Sequence, residues 1–264
     1  MDLTLEGRHA LVGGASQGIG LGCAEALASR GASVTLMARN QETLERVSEE
    51  LPRPAGQTHG FIAVDFSDWR EVRDAVAAHL EASGPVEILV NNTGGPAPGP
   101  IRDADPESFA AAFEQHLLCN QALAQLVQPG MIEKGYGRII NIISTSVITP
   151  IWNLGVSNTV RGAVANWGRT LAAELGQFGI TVNNILPGYI DTDRLRSSMS
   201  RRAELASLPE EEMAEVMSSS VPMGRLGVPA DIGAVVAFLS SPEASYVNGV
   251  NLPVDGGRLV SLNT

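Results

Sequence analysis

The 264-residue chain reads as one doubly wound α/β domain with a mostly parallel, seven-stranded sheet and helices on both faces. Three observations predict this. Short, almost wholly apolar runs alternate with longer amphipathic segments, and parallel strands covered on both faces lose the in–out alternation of a half-exposed sheet. A glycine cluster stands between the first apolar run and the first amphipathic segment. No repeat, low-complexity stretch or linker divides the chain, and 264 residues suffice for one full core.

The strands expected are His9–Gly13, Ser33–Ala38, Gly60–Val64, Val86–Asn91, Gly137–Ser144, Ile180–Leu186 and Val250–Val254. Helices are expected near 18–30, 41–51, 69–82, 106–133, 157–177 and 229–240. Each strand–helix–strand unit implies a right-handed crossover, which distributes helices to both faces. The run Asp191–Val221 is polar and rich in Ser, Glu, Arg and Met. It interrupts the alternation and reads as a lid-like insertion of one or two short helices within a single domain spanning 1–264.

Gly13-Gly14-Ala15-Ser16-Gln17-Gly18-Ile19-Gly20 follows the first strand and opens the first helix. Glycines there let a backbone approach a pyrophosphate, and the helix N-terminus supplies free N–H groups and positive dipole. Gly14, Ser16, Gln17, Gly18 and Ile19 are therefore read as dinucleotide-binding. The second strand ends Leu36-Met37-Ala38-Arg39-Asn40. NAD binders usually place an acid here for the ribose 2′-OH. Ala38 is no acid, and the planar fork of Arg39 can pair with a 2′-phosphate. NADP(H) is the cofactor expected, with NAD(H) possible.

The formal net charge of −11 argues against nucleic acid and anionic membranes as partners. No apolar run approaches roughly 18 residues, the length of a spanning helix. The N-terminal Met1-Asp2-Leu3-Thr4-Leu5-Glu6 lacks a signal peptide's basic region and apolar core. Cys23 and Cys119 fall in expected helices and read as buried apolar residues, not as a disulfide or metal site. A cytoplasmic location and a small-molecule substrate follow as expectations.

Further segments resemble, in order and over essentially the whole length, the short-chain dehydrogenase/reductase family in its 3-oxoacyl carrier-protein reductase-like branch. Gly14-Ala15-Ser16-Gln17-Gly18-Ile19-Gly20 resembles the family's cofactor loop, and Val64-Asp65, with Phe66 after it, its adenine-capping segment. Asn91-Asn92-Thr93-Gly94 resembles its Asn-Asn-Ala-Gly, and Pro187-Gly188-Tyr189-Ile190-Asp191-Thr192 its nicotinamide loop. Pro222-Met223-Gly224-Arg225-Leu226-Gly227 and Val254-Asp255-Gly256-Gly257 resemble its C-terminal part. The resemblance implies a Rossmann-type fold and adds Asp65, Phe66, Asn92, Thr93, Gly94, Pro187, Gly188, Ile190 and Thr192 to the cofactor site. It also implies a homo-oligomer, a tetramer or dimer. Apolar positions on more than one face of the two long helices agree with that (Leu117, Leu118, Leu123, Leu126; Val164, Trp167, Leu171, Leu175).

The family's catalytic group is Asn, Ser, Tyr and Lys, and the chain departs from it. The Ser position is Ser144; the Tyr, Lys and Asn positions hold Ser157, Arg161 and His116. Lys134 is the only lysine, and none of the three tyrosines has a basic residue four positions on. Ser157 and Arg161 lie one helical turn apart, on one face. Arg161 can bind ribose hydroxyls and supply charge, but it does not release a proton near neutrality. Ser157 is a far weaker acid than Tyr, and His116 is either a relay group or a helix-face histidine satisfied by backbone. Two function classes therefore stand open. One is an NADP(H)-dependent oxidoreductase acting on a small carbonyl or alcohol with a non-standard acid–base group, or on quinones that need no Tyr-like acid. The other is an NADP(H)-binding sensor or assembly protein with little catalysis.

Overall fold

Seven strands form one sheet in the order β3-β2-β1-β4-β5-β6-β7, and every neighbouring pair is parallel. They are β1 His9–Gly13, β2 Ser33–Ala38, β3 Gly60–Ala63, β4 Ile88–Asn91, β5 Gly137–Ile142, β6 Ile180–Pro187 and β7 Asn251–Val254. This computed structural model describes residues 3–260; Met1, Asp2 and residues 261–264 of the expected domain lie outside the described residues. The chain winds outward from β1 to β3, then returns to β4 on the other side of β1. That reversal opens a crevice at the carboxyl ends of β1 and β4.

The helices are α1 Gly18–Ala28, α2 Gln41–Glu50, α3 Trp69–Ser83, α4 Pro106–Phe113, α5 Cys119–Lys134, α6 Gly155–Leu175, α7 Asp193–Ala206, α8 Glu210–Ser219 and α9 Pro229–Ser240. One core packs β-strand residues such as Ala10 and Val12 against Leu27 of α1 and Val236 of α9. The other packs Leu11 and Leu89 against Val76 of α3, Leu123 of α5 and Leu175 of α6. Successive residues of β1 feed opposite cores, which is why its sequence is apolar throughout. Cys23 and Cys119 are both buried and unpaired.

The structure differs from the expected elements at two informative places and keeps to them at a third. The helix expected over 106–133 is α4, a π-helical segment Glu114–Leu118 and α5. β5 stops at Ile142, so Ser144 stands outside it and caps the short 3-10 turn Thr145–Val147. The 191–221 insertion is two helices, α7 and α8, with a small core of Ala203, Met213 and Met217 against Tyr189, Leu195 and Leu208.

Candidate active site

The glycine-rich turn is built by close approach. Gly14 and Gly18 have φ of +57° and +58°. A Cβ on Gly14 would lie 2.7 Å from Asn92 Nδ2, and one on Gly20 would lie 2.1 Å from Gly14 O. Asn92 at the end of β4 donates from Nδ2 to Gly13 O at 3.1 Å, tying the turn to the crevice floor. The N-terminus of α1 has no side-chain cap on Gln17. Its orphan N–H groups and positive dipole end suit an anion such as a pyrophosphate. Ser16, Gln17, Gly18 and Ile19 all retain solvent access.

Of the remaining expected cofactor residues, Asn92, Phe66 and Thr192 stand directly against this turn. Arg39 is exposed just beyond buried Ala38, and none of the ion pairs among the described residues involves it. Asp65 Oδ1 accepts from Ser67 N at 2.9 Å. Phe66 is buried beneath Gly13, and its carbonyl accepts from Cys119 Sγ at 3.3 Å. Pro187 closes β6, Gly188 N donates to Val254 O at 3.0 Å, and Ile190 bridges to Gly227. Thr192 caps α7 by accepting from Leu195 N, and its methyl faces Gly18. Gly94 is exposed, while Thr93 turns inward.

Thr93 Oγ1 and His116 Nδ1 are 2.8 Å apart, with His116 carried on the π-helical segment. His116 is 5 % exposed, and its Nε2 has no hydrogen-bond partner. Burial, then the positive charges of Arg161 and Arg194, push its pKa down to about 3, so the ring is neutral at physiological pH. Asn91 Oδ1 is another buried atom without a partner, its Nδ2 donating to Asn141 Oδ1 at 2.8 Å. Both residues line a cavity of about 10 Å³ together with Thr93, Asn120, Ile142, Ile143, Arg161 and Val164. That is room for about one water. Arg161 reaches the cavity from α6 and donates from Nη1 to Ile142 O at 3.1 Å. Burial and the neighbouring Arg194 push its pKa down to about 10, so it stays cationic.

The cavity unites His116, Arg161 and Thr93 but not all the expected catalytic residues. Ser144 Oγ accepts from Ser146 N at 3.1 Å. Ser157 is buried in the first turn of α6 beside Val156 and Val160, and its hydroxyl makes no hydrogen bond among the described residues. Neither serine lines the cavity. Asn91, Asn120 and Arg194 were missed by sequence reasoning. Asn91 could have been flagged as the last residue of an otherwise apolar strand; Arg194 carries no signal, since its neighbours Asp191, Asp193 and Arg196 read as an ordinary polar helix start. Arg194 donates from Nη1 to Gly95 O at 2.9 Å and from Nη2 to Pro96 O at 3.2 Å, latching α7 to the proline-rich loop. That loop and α4 enclose a pocket of about 380 Å³ lined by Pro96, Pro98, Pro100, Ala112, Gln115 and Val156 among others.

No lysine or tyrosine enters this group. Lys134 pairs with buried Glu87, before β4, at the opposite end of the sheet. Tyr136 donates to Ser240 O; Tyr189 is held by Arg202 and Arg258, an aromatic anchor for the loop; Tyr246 is fully exposed.

A parallel doubly wound sheet with an uncapped glycine turn at its switch point defines a dinucleotide-binding α/β protein. The profile of the family described as Enoyl-(Acyl carrier protein) reductase matches residues 14–258. The 3-oxoacyl-[acyl-carrier-protein] reductase of Vibrio cholerae is 34% identical over 257 residues, 97% of this chain and 98% of that one. The NADPH-dependent reductase BacG of Bacillus subtilis is 31% identical over 257 residues, 97% of this chain and 99% of that one. Among solved structures, L-sorbose reductase from Gluconobacter frateurii, complexed with NADPH and L-sorbose, superposes with a TM-score of 0.92 at 31% identity, covering 99% of this chain and 100% of that one. The chain belongs to the short-chain dehydrogenase/reductase family, and so to the NAD(P)-dependent oxidoreductases that act on CH–OH and C=O groups.

Proposed function

We propose that this protein is an NADPH-preferring reductase of a small carbonyl compound, or the reverse dehydrogenase, whose acid–base work falls to the His116 cavity instead of a Tyr–Lys pair. The observation that carries this reading is the meeting of two buried orphan atoms, His116 Nε2 and Asn91 Oδ1, on one water-sized cavity that Arg161 also lines. NADPH preference is supported by the absence of an acid at Ala38, by the unpaired Arg39, and by the NADPH named for the Bacillus and Gluconobacter relatives. The residues present fit such a cofactor: the turn Gly14–Ile19 for the pyrophosphate, Arg39 for the 2′-phosphate, Asp65 and Phe66 for the adenine side, and Asn92, Thr93, Gly94, Pro187, Gly188, Ile190 and Thr192 toward the nicotinamide. When bound, the cofactor supplies the hydride.

The chain's own residues then handle charge and proton. Arg161, fixed by Ile142 O, holds the ribose and places positive charge where negative charge develops on the carbonyl oxygen. A neutral His116 is no general acid. With Thr93 donating to Nδ1, the Nε2–H of the ring and Asn91 Oδ1 orient a water whose second hydrogen passes to the carbonyl oxygen, the hydroxide left behind being reprotonated from solvent. Ser144 and Ser157 orient substrate. Among the described residues no helix is long and apolar enough to cross a membrane. A cytoplasmic location, supported by two free cysteines, and a homo-oligomer complete the proposal.

The test has two stages. Fluorescence titration should give tighter binding of NADPH than NADH, and Arg39→Ala should weaken NADPH by about 10- to 100-fold, the scale of lost charge-assisted hydrogen bonds. NADPH oxidation is then followed on ketones, aldehydes and quinones. His116→Ala should lower kcat by up to about 10²-fold, because the proton-delivering water loses the group that orients it. A parent protein that binds NADPH yet is inert on the whole panel would instead be a nucleotide-binding sensor or assembly protein.

A further inference from the structure

Arg161 and Arg194 converge on Gly95 from different elements. A Cβ placed on Gly95 would lie 2.5 Å from Arg194 Nη2 and 3.2 Å from Arg161 Nη2, so the two guanidinium nitrogens are no farther apart than those distances combined. A side chain at Gly95 would push the Arg194 guanidinium aside. Neither arginine takes part in an ion pair among the described residues, in a chain of net charge −11. The acids nearest to Arg194 in sequence are engaged elsewhere: Asp191 accepts two hydrogen bonds from Arg196, at 2.8 and 3.1 Å, and Asp193 lies 3.9 Å from the same residue. Arg194 turns the other way, to the carbonyls of Gly95 and Pro96, which carry no net charge. Two cations held side by side without a counter-ion repel; solvent screens the exposed Arg194 in part, and a ligand anion would supply the charge that half-buried Arg161 lacks.

We infer that Arg161 and Arg194 form a recognition site for an oxyanion on the substrate, a carboxylate carried near the carbonyl that is reduced. This rests on the oxidoreductase reading above and names its substrate class. Guanidinium forks match a carboxylate's two oxygens, and two converging forks bind it far better than a neutral ester or amide. The cofactor's phosphates are the other possible source of an oxyanion. They already have the uncapped N-terminus of α1 and Arg39, whereas Arg194 is bonded to Pro96, at the edge of the 380 Å³ pocket, whose lining includes Asp103 and Asp105 but neither arginine. The placement favours substrate.

The probes are 2-oxobutanoate and acetoacetate, each against its methyl ester. Binding is measured by calorimetry on protein saturated with NADP⁺, which cannot reduce them, so the readout does not depend on turnover. Each acid should bind at least about tenfold tighter than its ester, the scale of charged hydrogen bonds. Arg194→Ala should bring that ratio close to one, Arg194→Lys should keep part of it, and Gly95→Ala, which displaces the Arg194 guanidinium, should reproduce the loss. Equal binding of acids and esters by the parent overturns the inference. So does an Arg194→Ala variant that keeps the ratio, or one whose main defect is NADPH affinity, which would assign the site to the cofactor's phosphates. NADPH oxidation with the same probes separates the two readings. Acids that bind tightly but are never reduced leave the anion site standing and count against the oxidoreductase reading. Esters reduced as well as acids do the reverse.

Discussion

At the scale of the residue, the decisive fact about His116 is that it does not titrate where enzymes work. Its pKa is pushed down to about 3 by burial and by two nearby arginines. A pH–rate profile between 5 and 9 should therefore show no limb that disappears in His116→Gln, even though that variant is slower. A limb near the usual histidine range, lost on substitution, would make His116 a general acid and overturn the water-relay reading. Ser157 offers a complementary test. The residue is largely buried, and its hydroxyl makes no hydrogen bond among the described residues. Ser157→Ala should leave NADPH affinity unaltered, and a clear fall in turnover would show that the hydroxyl meets substrate or water. The paired change Ser157→Tyr with Arg161→Lys places a phenol of intrinsic pKa about 10 beside an ammonium. Partial recovery of ordinary carbonyl reduction is the most to expect, because His116 also departs from the family pattern and Ser157 stands in packed surroundings.

At the scale of the element, four asparagines form a ladder across the second half of the sheet. Asn91, Asn141, Asn184 and Asn251 stand in register on β4, β5, β6 and β7. Asn91 donates to Asn141, Asn141 to Asn184 and Asn184 to Asn251, each at 2.8 Å. The amides thus point one way, and the acceptor left over is Asn91 Oδ1 on the His116 cavity. α6 lies over the ladder at Gly168, where a Cβ would come within 2.7 Å of both Asn141 Nδ2 and Asn184 Oδ1. Gly168→Ala should destabilise the protein by about 1–3 kcal/mol through overpacking. Asn141→Ala should cost more than an ordinary buried truncation, since each buried partner left unpaired adds about 1–3 kcal/mol. Urea unfolding checks both; an unchanged midpoint would mean that the ladder contributes nothing to stability.

At the scale of the whole molecule, all four histidines are held below their ordinary pKa, chiefly by burial. His9 and His79 share Thr35 Oγ1 at 2.8 and 3.0 Å near the amino end of the sheet, opposite the site. A depressed histidine pKa means that the unfolded chain takes up the proton first. Stability is therefore complete above the unfolded value of about 6.5 and falls as pH drops toward the folded values. His116 alone contributes up to about 1.4 kcal/mol per pH unit across that window, the more exposed His59 and His79 less. Melting temperature should fall steeply from pH 7 to 5, and less steeply in His116→Gln. An equal slope in both proteins would place His116 near its ordinary pKa. A homo-oligomer is the other expectation at this scale. Leu118 and Phe178 remain partly exposed at 39% and 38%, and Trp152 at 76%, which leaves apolar surface for a second copy. Light scattering at micromolar concentration should give a dimer or tetramer; a monomer would refute it.

The strand periods, the glycine turn and the missing acid at Ala38 were legible in the sequence because each is set by neighbours along the chain. So were the absence of a Tyr–Lys pair and an insertion of one or two short helices. The π-helical segment was not. Buried Ala112, His116, Asn120, Leu123, Val127 and Met131 keep a spacing of three or four, which one continuous helix satisfies equally well. The asparagine ladder was not legible either, because four residues scattered from 91 to 251 become neighbours only when the strand register is fixed. Arg194 met Arg161 for the same reason: a residue of the insertion, free in sequence to pair with Asp191 or Asp193, was turned toward Gly95 when α7 folded over the proline loop. Local sequence determined what could bind at the crevice; tertiary packing decided which charges and unpaired atoms face it, because burial and like-charge proximity exist only once distant elements meet.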